Sequence, residues 1–288
     1  MKKAFLKLTE IMARCLPNGV KRAIYSFRPL ARLLRKGLNS SVPQGVAPVT
    51  VAAGDLRGAR MELDMHIEKD YWLGTYELEL QQAIRHFVKP GMTAFDVGAN
   101  IGYISLLLSK AVGADGKVLS VEALPANIKR LQGHAAMNAF ASNVTVLHAA
   151  VVDASKPVTF LVHNSTSMGK AVGSAGRSDE KYANEITVDG VSLDDLVYKH
   201  GNPAPDVIKM DIEGGEVLAM LGMKHLLHEK RPLMMVELHG HEAARAVWQT
   251  LFAAGYTFHR MQEQYPKITS EAELDWKAYV VCVPPLTD

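Results

Sequence analysis

From Lys89 onward the apolar positions alternate between short runs and helical spacing. Thr93–Val97, Lys117–Val121 and Val144–His148 read as short apolar strands. Between them, Ile101–Val112 and the segment from Pro125 to about Asn138 carry the helical period, and a proline suits a first helical turn. Val158–Val162 and Glu185–Val188 read as more polar strands around a Gly/Ser/Asn-rich stretch, 163–178. Ser192 can cap a helix over 193–200, Val207–Met210 is a buried strand, Gly214–Leu221 is helical, and Leu233–Leu238 is another apolar strand. An amphipathic helix over 242–254 ends at Gly255. Thr257–Met261 and Ala278–Val283 have no room for a crossover helix between them, so they must pair antiparallel. The pattern predicts an α/β fold: a mostly parallel sheet that ends in an antiparallel hairpin.

The first 42 residues differ. They hold ten Lys or Arg against one acid, Glu10, so this arm carries +9 and the remaining 246 residues carry −7 of the net +2. Phe5, Leu8 and Met12, then Ile24, Phe27, Leu30 and Leu34, recur at helical spacing among the basic residues. A basic amphipathic helix can lie on an anionic membrane surface. Alternatively it packs on the body, or on a second copy of the chain as a homo-oligomer, with a solvated basic face. Residues 39–60 read as a linker or a first hairpin, so the expected division is an arm and linker over 1–60 and a catalytic domain over 61–288.

Composition narrows the class. In 288 residues, 48% are apolar and 22% charged, with mean hydropathy +0.01, which is ordinary for a globular chain and excludes a disordered or fibrous one. The mildly acidic body argues against a nucleic-acid partner. Cys15 and Cys282 lie near opposite ends without metal-ligand spacing, which points to a reducing, cytoplasmic setting, with peripheral contact at the inner membrane face if the arm binds lipid. No apolar run approaches 18 residues, so no membrane-spanning helix is expected.

The candidate chemistry begins after the first strand, at Asp96-Val97-Gly98-Ala99-Asn100-Ile101-Gly102. Dinucleotide binders bring a helix terminus to a pyrophosphate with G-x-G-x-x-G. Here the spacing is G-x-x-x-G with Asn100 in the middle, and Asp96 stands where an anion would be repelled. A nicotinamide oxidoreductase is therefore disfavoured. A carboxylate beside a glycine bend suits a cationic ligand, such as the ammonium and sulfonium of S-adenosylmethionine. Glu122, twenty residues beyond Gly102 at the next strand end, is placed to accept ribose hydroxyls.

Several segments resemble the FkbM-type S-adenosylmethionine-dependent methyltransferases: YWLGTYE (71–77), FDVGANIGYIS (95–105), VLSVEALPANIKRLQGHAAMN (118–138), ITVDGVSLDDLV (186–197), VIKMDIEGGEVLAMLG (207–222) and MMVELH (234–239). The resemblance covers roughly residues 66–261. It implies a class I, Rossmann-like methyltransferase fold and methyl transfer to a hydroxyl of a sugar, glycolipid or secondary metabolite. It further implies that Asp96, Gly98, Asn100 and Gly102 line the methionine and sulfonium end, Glu122 the ribose, Ala150 and Val151 the adenine, and that Glu77 faces the cofactor. A non-catalytic cofactor-binding or membrane-associated module is the alternative.

In open α/β sheets ligands lie beyond the carboxyl ends of the strands. Asp211, Glu213 and Glu216 cross that rim after one strand, and Glu237, His239 and His241 after the next. An alcohol needs a base near its oxygen to become a good nucleophile. Asp211 and His239 are the candidate bases, with Glu237 orienting His239 or gripping substrate hydroxyls. The same Asp211, Glu237 and His239, with His241, could instead hold a divalent metal, although no tight ligand spacing supports it. The polar loop His163–Arg177 could fold over the acceptor.

Overall fold

The computed structural model describes residues 44–163, 168–176 and 182–285, together with Ile11. The membrane-surface and second-copy readings of residues 1–42 fall, Ile11 apart, outside the described residues. The chain divides into two compact units, one ending at Leu78 and the other beginning at Glu79.

In the first unit β1 (Val46–Thr50) pairs antiparallel with β2 (Arg60–Asp64), from Val46 opposite Asp64 to Thr50 opposite Arg60. Residues 39–60 thus contribute one strand of a hairpin, and a boundary after residue 60 would cut it. The pleat alternates on β2, where Met61 and Leu63 are fully buried. A short helix, α1 (Lys69–Leu73), ends on Gly74 in the left-handed region at φ 67°. A Cβ on Gly74 would lie 2.2 Å from Ala53 O, so the glycine of the GTYE segment lets the helix end press on the hairpin loop.

The second unit is built on an eight-stranded sheet. After α2 (Leu78–Phe87), the chain alternates through β3 (Thr93–Val97), α3 (Tyr103–Val112), β4 (Lys117–Glu122), α4 (Pro125–Ala136) and β5 (Val144–His148). Later come α5 (Leu193–Tyr198), β10 (Val207–Met210), α6 (Glu216–Leu221), α7 (Lys224–Glu229), β11 (Leu233–His239) and α8 (His241–Ala253). The chain then closes with β12 (Thr257–Arg260), β13 (Lys267–Ile268) and β14 (Lys277–Val283). The strand order is β13-β12-β14-β11-β10-β3-β4-β5, with β11, β10, β3, β4 and β5 mutually parallel. The central strands are covered on both faces, which is why β10 reads as an unbroken buried run, Val-Ile-Lys-Met. Ser192 does cap α5, its side chain accepting from Asp195 N.

The closing hairpin forms with a refinement. β14 does not extend the edge after β12; it inserts between β12 and β11, antiparallel to both. The 16-residue connection leaves room for β13, which becomes the edge strand. Between β5 and α5, the chain makes a separate four-stranded sheet, β6 (Ala150–Val151), β9 (Tyr182–Val191), β7 (Pro157–His163) and β8 (Gly169–Ala171), in that spatial order. This is where the two polar strands flanking the 163–178 stretch belong.

Register positions the site. Val97 lies opposite Val121 and Met210, and Met210 opposite Val236. Four neighbouring parallel strands therefore end in line, and Gly98, Glu122, Asp211 and Glu237 follow them at one rim.

Candidate active site

The glycine bend is held by its neighbours. Gly98 N and Ala99 N both donate to Val121 O, each at 3.0 Å. Gly98 adopts φ 76°, and a Cβ there would lie 1.9 Å from Asp211 O and 2.9 Å from Ile212 Cγ2. The residue is glycine because the backbone after β10 presses on the bend. Gly102, at φ 89°, meets Leu131 of α4 in the same way, at 2.9 Å. Asn100 takes φ 49°, which asparagine tolerates better than most residues, and its Oδ1 is buried without a hydrogen-bond partner.

Glu122 ties this bend to the tip of β4. Its Oε2 accepts from Asn100 N at 2.8 Å, and its Oε1 accepts from Leu124 N at 2.8 Å and from Asn127 Nδ2 at 3.4 Å. Burial pushes its carboxyl above the ordinary 4.5, against the pull of those donors and of the Lys209 charge. An ionised carboxylate offers about four acceptor directions, so the three internal bonds leave capacity for a ligand hydroxyl.

Asp96 meets its partners in the interior. It is fully buried, and β-sheet register sets it between Lys209 on β10 and Ser120 on β4. Ser105 Oγ donates to Asp96 Oδ2 at 2.6 Å, and Ser120 Oγ donates to Ser105 Oγ at 2.8 Å. Lys209 Nζ lies 3.2 Å from Asp96 Oδ1, an ion contact off hydrogen-bond geometry, while the same ammonium donates to Gly98 O at 2.9 Å. The cation that Asp96 faces is thus inside the chain. Sequence reasoning passed over Lys209, although a lysine within an apolar strand carries its own signal: a buried ammonium must be paired.

The second cluster is built around His239 at the end of β11. Its Nε2 is 3.1 Å from Glu237 Oε1, 3.6 Å from Asp211 Oδ1 and 3.7 Å from Glu213 Oε2. Its Nδ1 is 3.3 Å from Glu216 Oε1, which also accepts from Ile212 N at 3.2 Å. Lys277, opening β14, contacts Glu237 Oε1. Burial alone would lower the imidazolium, but the Glu216 and Glu237 carboxylates, with the charge of Asp211, raise its pKa to about 11. Burial also acts to raise Glu237, and there the His239 and Lys277 donors prevail and draw it below its usual value. Of the two candidate bases, Asp211 has its side chain 22% exposed, whereas His239 is buried and its raised pKa favours the protonated ring. Among the described residues Asp211, Glu237 and His239 offer ligand atoms within 4.8 Å of one another; His241 is exposed and lies outside that group.

The family described as the methyltransferase FkbM domain matches residues 96–258, more than half of the chain. The chain belongs to the FkbM methyltransferase family. The match runs from Asp96 to Phe258 and so contains both charged clusters except Lys277. Among solved structures, a methyltransferase FkbM from Methylobacillus flagellatus is 17% identical over 76% of this chain and 53% of its own, with TM-score 0.44. The chain therefore spans about half the length of that protein. Aeropyrum pernix fibrillarin with natively bound S-adenosyl-L-methionine is 12% identical over 70% of this chain and 73% of its own (TM-score 0.41). A Thermotoga maritima SAM-dependent O-methyltransferase is 11% identical over 73% and 66% (TM-score 0.41). No curated protein matches the sequence. The fold is mixed α/β, with a large and mostly parallel sheet.

The remaining predicted positions of this FkbM methyltransferase chain lie away from open surface or in the other unit. Ala150 and Val151 are buried on β6, packed with Ala123, Leu124 and Phe160 on one side and with the main core on the other. Glu77 belongs to the first unit, half-buried at φ 46°. The described part of the 163–177 loop docks on the acidic turn: Ala175 N donates to Gly214 O at 2.9 Å, and a Cβ on Gly176 would lie 2.8 Å from Glu213 O. Lys170, itself buried, donates to Ala175 O at 2.9 Å and fixes this loop. Positions 164–167 and 177 lie outside the described residues. No helix among the described residues is long and apolar enough to cross a membrane.

Proposed function

We propose that this chain transfers the methyl group of S-adenosylmethionine to a hydroxyl of a sugar, glycolipid or secondary metabolite. The observation that carries the reading is the contact between the Gly98 bend and the Asp211 backbone, which sets the acidic turn directly against the loop of the family motif. When bound, S-adenosylmethionine supplies a methyl carbon activated by its sulfonium. The chain's own groups fit such a ligand: Asn100 Oδ1 is an acceptor without a partner, and Glu122 has acceptor capacity left beside it.

Asp211 receives the proton of the acceptor hydroxyl, a role worth roughly 10²–10⁴-fold in rate. Its exposure admits a substrate oxygen while its backbone stays pinned, Asp211 N donating to Val97 O at 3.1 Å. His239, protonated, holds the Asp211 and Glu237 carboxylates in place and can donate toward the acceptor. Glu237, gripped by His239 and Lys277, orients the imidazole. Loop 168–176 supplies one wall.

The test uses purified full-length protein, isotopically labelled methyl donor and glycan or metabolite extracts, with products read by mass spectrometry. Label should enter as an ether methyl, and Asp211→Asn should cut the rate about 10²–10⁴-fold with donor affinity unchanged in calorimetry. Label found only on nitrogen, or a variant with normal turnover, would refute the assignment.

A further inference from the structure

Among the described residues, the carboxylates at the acidic rim outnumber the cations that meet them. Asp211, Glu213, Glu216 and Glu237 surround one imidazole, and the further cation, Lys277, has a side chain 48% exposed. Crowded carboxylates alone mean little, since they are common on protein surfaces. Here there is a second observation. Glu216 is fully buried, and its Oε2 has no hydrogen-bond partner although its Oε1 faces His239 Nδ1. Burying an anion with an unused oxygen is costly unless positive charge stands nearby.

The arrangement around the ring is directional. Glu216 accepts at Nδ1 and keeps that nitrogen protonated, so a cation can take the place of the proton on Nε2, which faces Asp211 Oδ1, Glu213 Oε2 and Glu237 Oε1. A carboxylate behind a histidine, with the other ring nitrogen turned to further oxygens, is how proteins orient an imidazole ligand and raise its basicity. The distances lie at and just beyond the spacing of donors that share an ion. Donors about 2.0–2.2 Å from a common ion lie roughly 3.0–3.5 Å apart in octahedral or tetrahedral geometry. The three oxygens are 3.1, 3.6 and 3.7 Å from Nε2.

We infer that Asp211, Glu237 and His239, with Glu213 at the open side, form a site for one divalent cation of the Mg²⁺/Mn²⁺ class, and that Glu216 positions His239 for it. Three carboxylate oxygens and one imidazole favour such an ion over a thiolate-seeking one. The ion takes the place between Nε2 and the carboxylates that the imidazolium proton otherwise fills. Lys277 competes with it for Glu237, and its exposure lets it withdraw. Ion binding stands on this geometry alone; only its consequence, lowering the acceptor hydroxyl's pKa, rests on the methyltransferase reading.

The experiment titrates EDTA-stripped full-length protein with Mn²⁺ alone, following free Mn²⁺ by electron paramagnetic resonance, with donor affinity measured in parallel by calorimetry. One ion per chain is expected. Glu216→Gln, which offers the ion no ligand atom and acts only through His239, should weaken binding about 10–100-fold, and Asp211→Asn should weaken it at least as much. Lys277→Met should tighten it, because a competing ammonium is gone. The partly exposed Asp211 variant keeps the test decisive if Glu216→Gln fails to fold. Absence of binding at about 1 mM Mn²⁺, or equal binding by wild type and both carboxylate variants, would overturn the site. Intact donor binding with no Mn²⁺ uptake sinks the ion and spares the methyltransferase; the reverse result sinks only the latter.

Discussion

Two charged clusters sit on adjacent strands at one rim, and they are wired differently. In the first, Asp96 is fully buried and its carboxylate meets Ser105 and Lys209, whose side chain is 6% exposed. One anion faces one cation, and hydroxyls fill in around them. In the second, Asp211, Glu213, Glu216 and Glu237 converge on His239 and Lys277, and exposure rises from none at Glu216 to 40% at Glu213. The first is balanced and closed; the second is open and, among the described residues, richer in carboxylates than in cations. A buried acid beside a glycine bend is therefore no sufficient sign of a ligand contact. What separates scaffold from site is charge left over and an edge from which something can enter.

The largest expected effect comes from breaking the balanced cluster. Lys209→Met leaves the Asp96 carboxylate buried without its cation, and should cost about 3–5 kcal/mol of unfolding free energy in urea denaturation. The corresponding change in the open cluster, Lys277→Met, removes a half-exposed cation and should stay within about 1 kcal/mol. Equal costs would mean that the two clusters do not differ as described.

Gly98→Ala probes the joint between the clusters. The new methyl would fall 1.9 Å from Asp211 O, at a φ of 76° that side chains rarely adopt. Overpacking of this kind costs about 1–3 kcal/mol. The acidic turn should shift with it, so turnover should fall more than donor affinity does. A fully stable, fully active variant would show that the bend and the turn are not coupled.

Much of this fold was legible because periodicity and burial agree. Phe95, Ile208, Met234 and Val236 are fully buried, and their strands read as apolar runs. The insertion of β14 was not legible, since strand order depends on which edges are open, a fact about neighbours in space. The same limit explains the site. Gly98, Glu122, Asp211 and Glu237 could be marked as strand-end residues, but the partners that fix their roles are far along the chain. Lys209 sits 113 residues from Asp96, and Glu216 is 23 from His239. The internal partner of Asp96 was hidden for that reason: its local motif suggests a cationic ligand, and only sheet register supplies Lys209. Lysine within Val-Ile-Lys-Met was the available clue, because an apolar strand does not carry an ammonium without an anion to meet it.

Glu122 lies between the two extremes, buried and well bonded yet at the rim, and its titration separates the roles. Its folded pKa stands above the ordinary 4.5 because burial penalises the charge. A raised carboxyl contributes stability that is present below 4.5 and is lost as pH rises through the folded value. Relative to Glu122→Gln, which has no such titration, the wild type should therefore lose stability as pH climbs from about 4.5, by at most about 1.4 kcal/mol per unit. The curves should run parallel once the group is ionised. An opposite slope would mean that the bonds from Asn100 and Leu124 outweigh desolvation. Once ionised, the carboxylate is held at a cost, and ligand hydroxyls that donate to it offset that cost. Donor affinity of Glu122→Gln should fall about tenfold, equivalent to about 1.4 kcal/mol. If affinity stays the same while the pH slope vanishes, Glu122 braces the bend and touches no ligand.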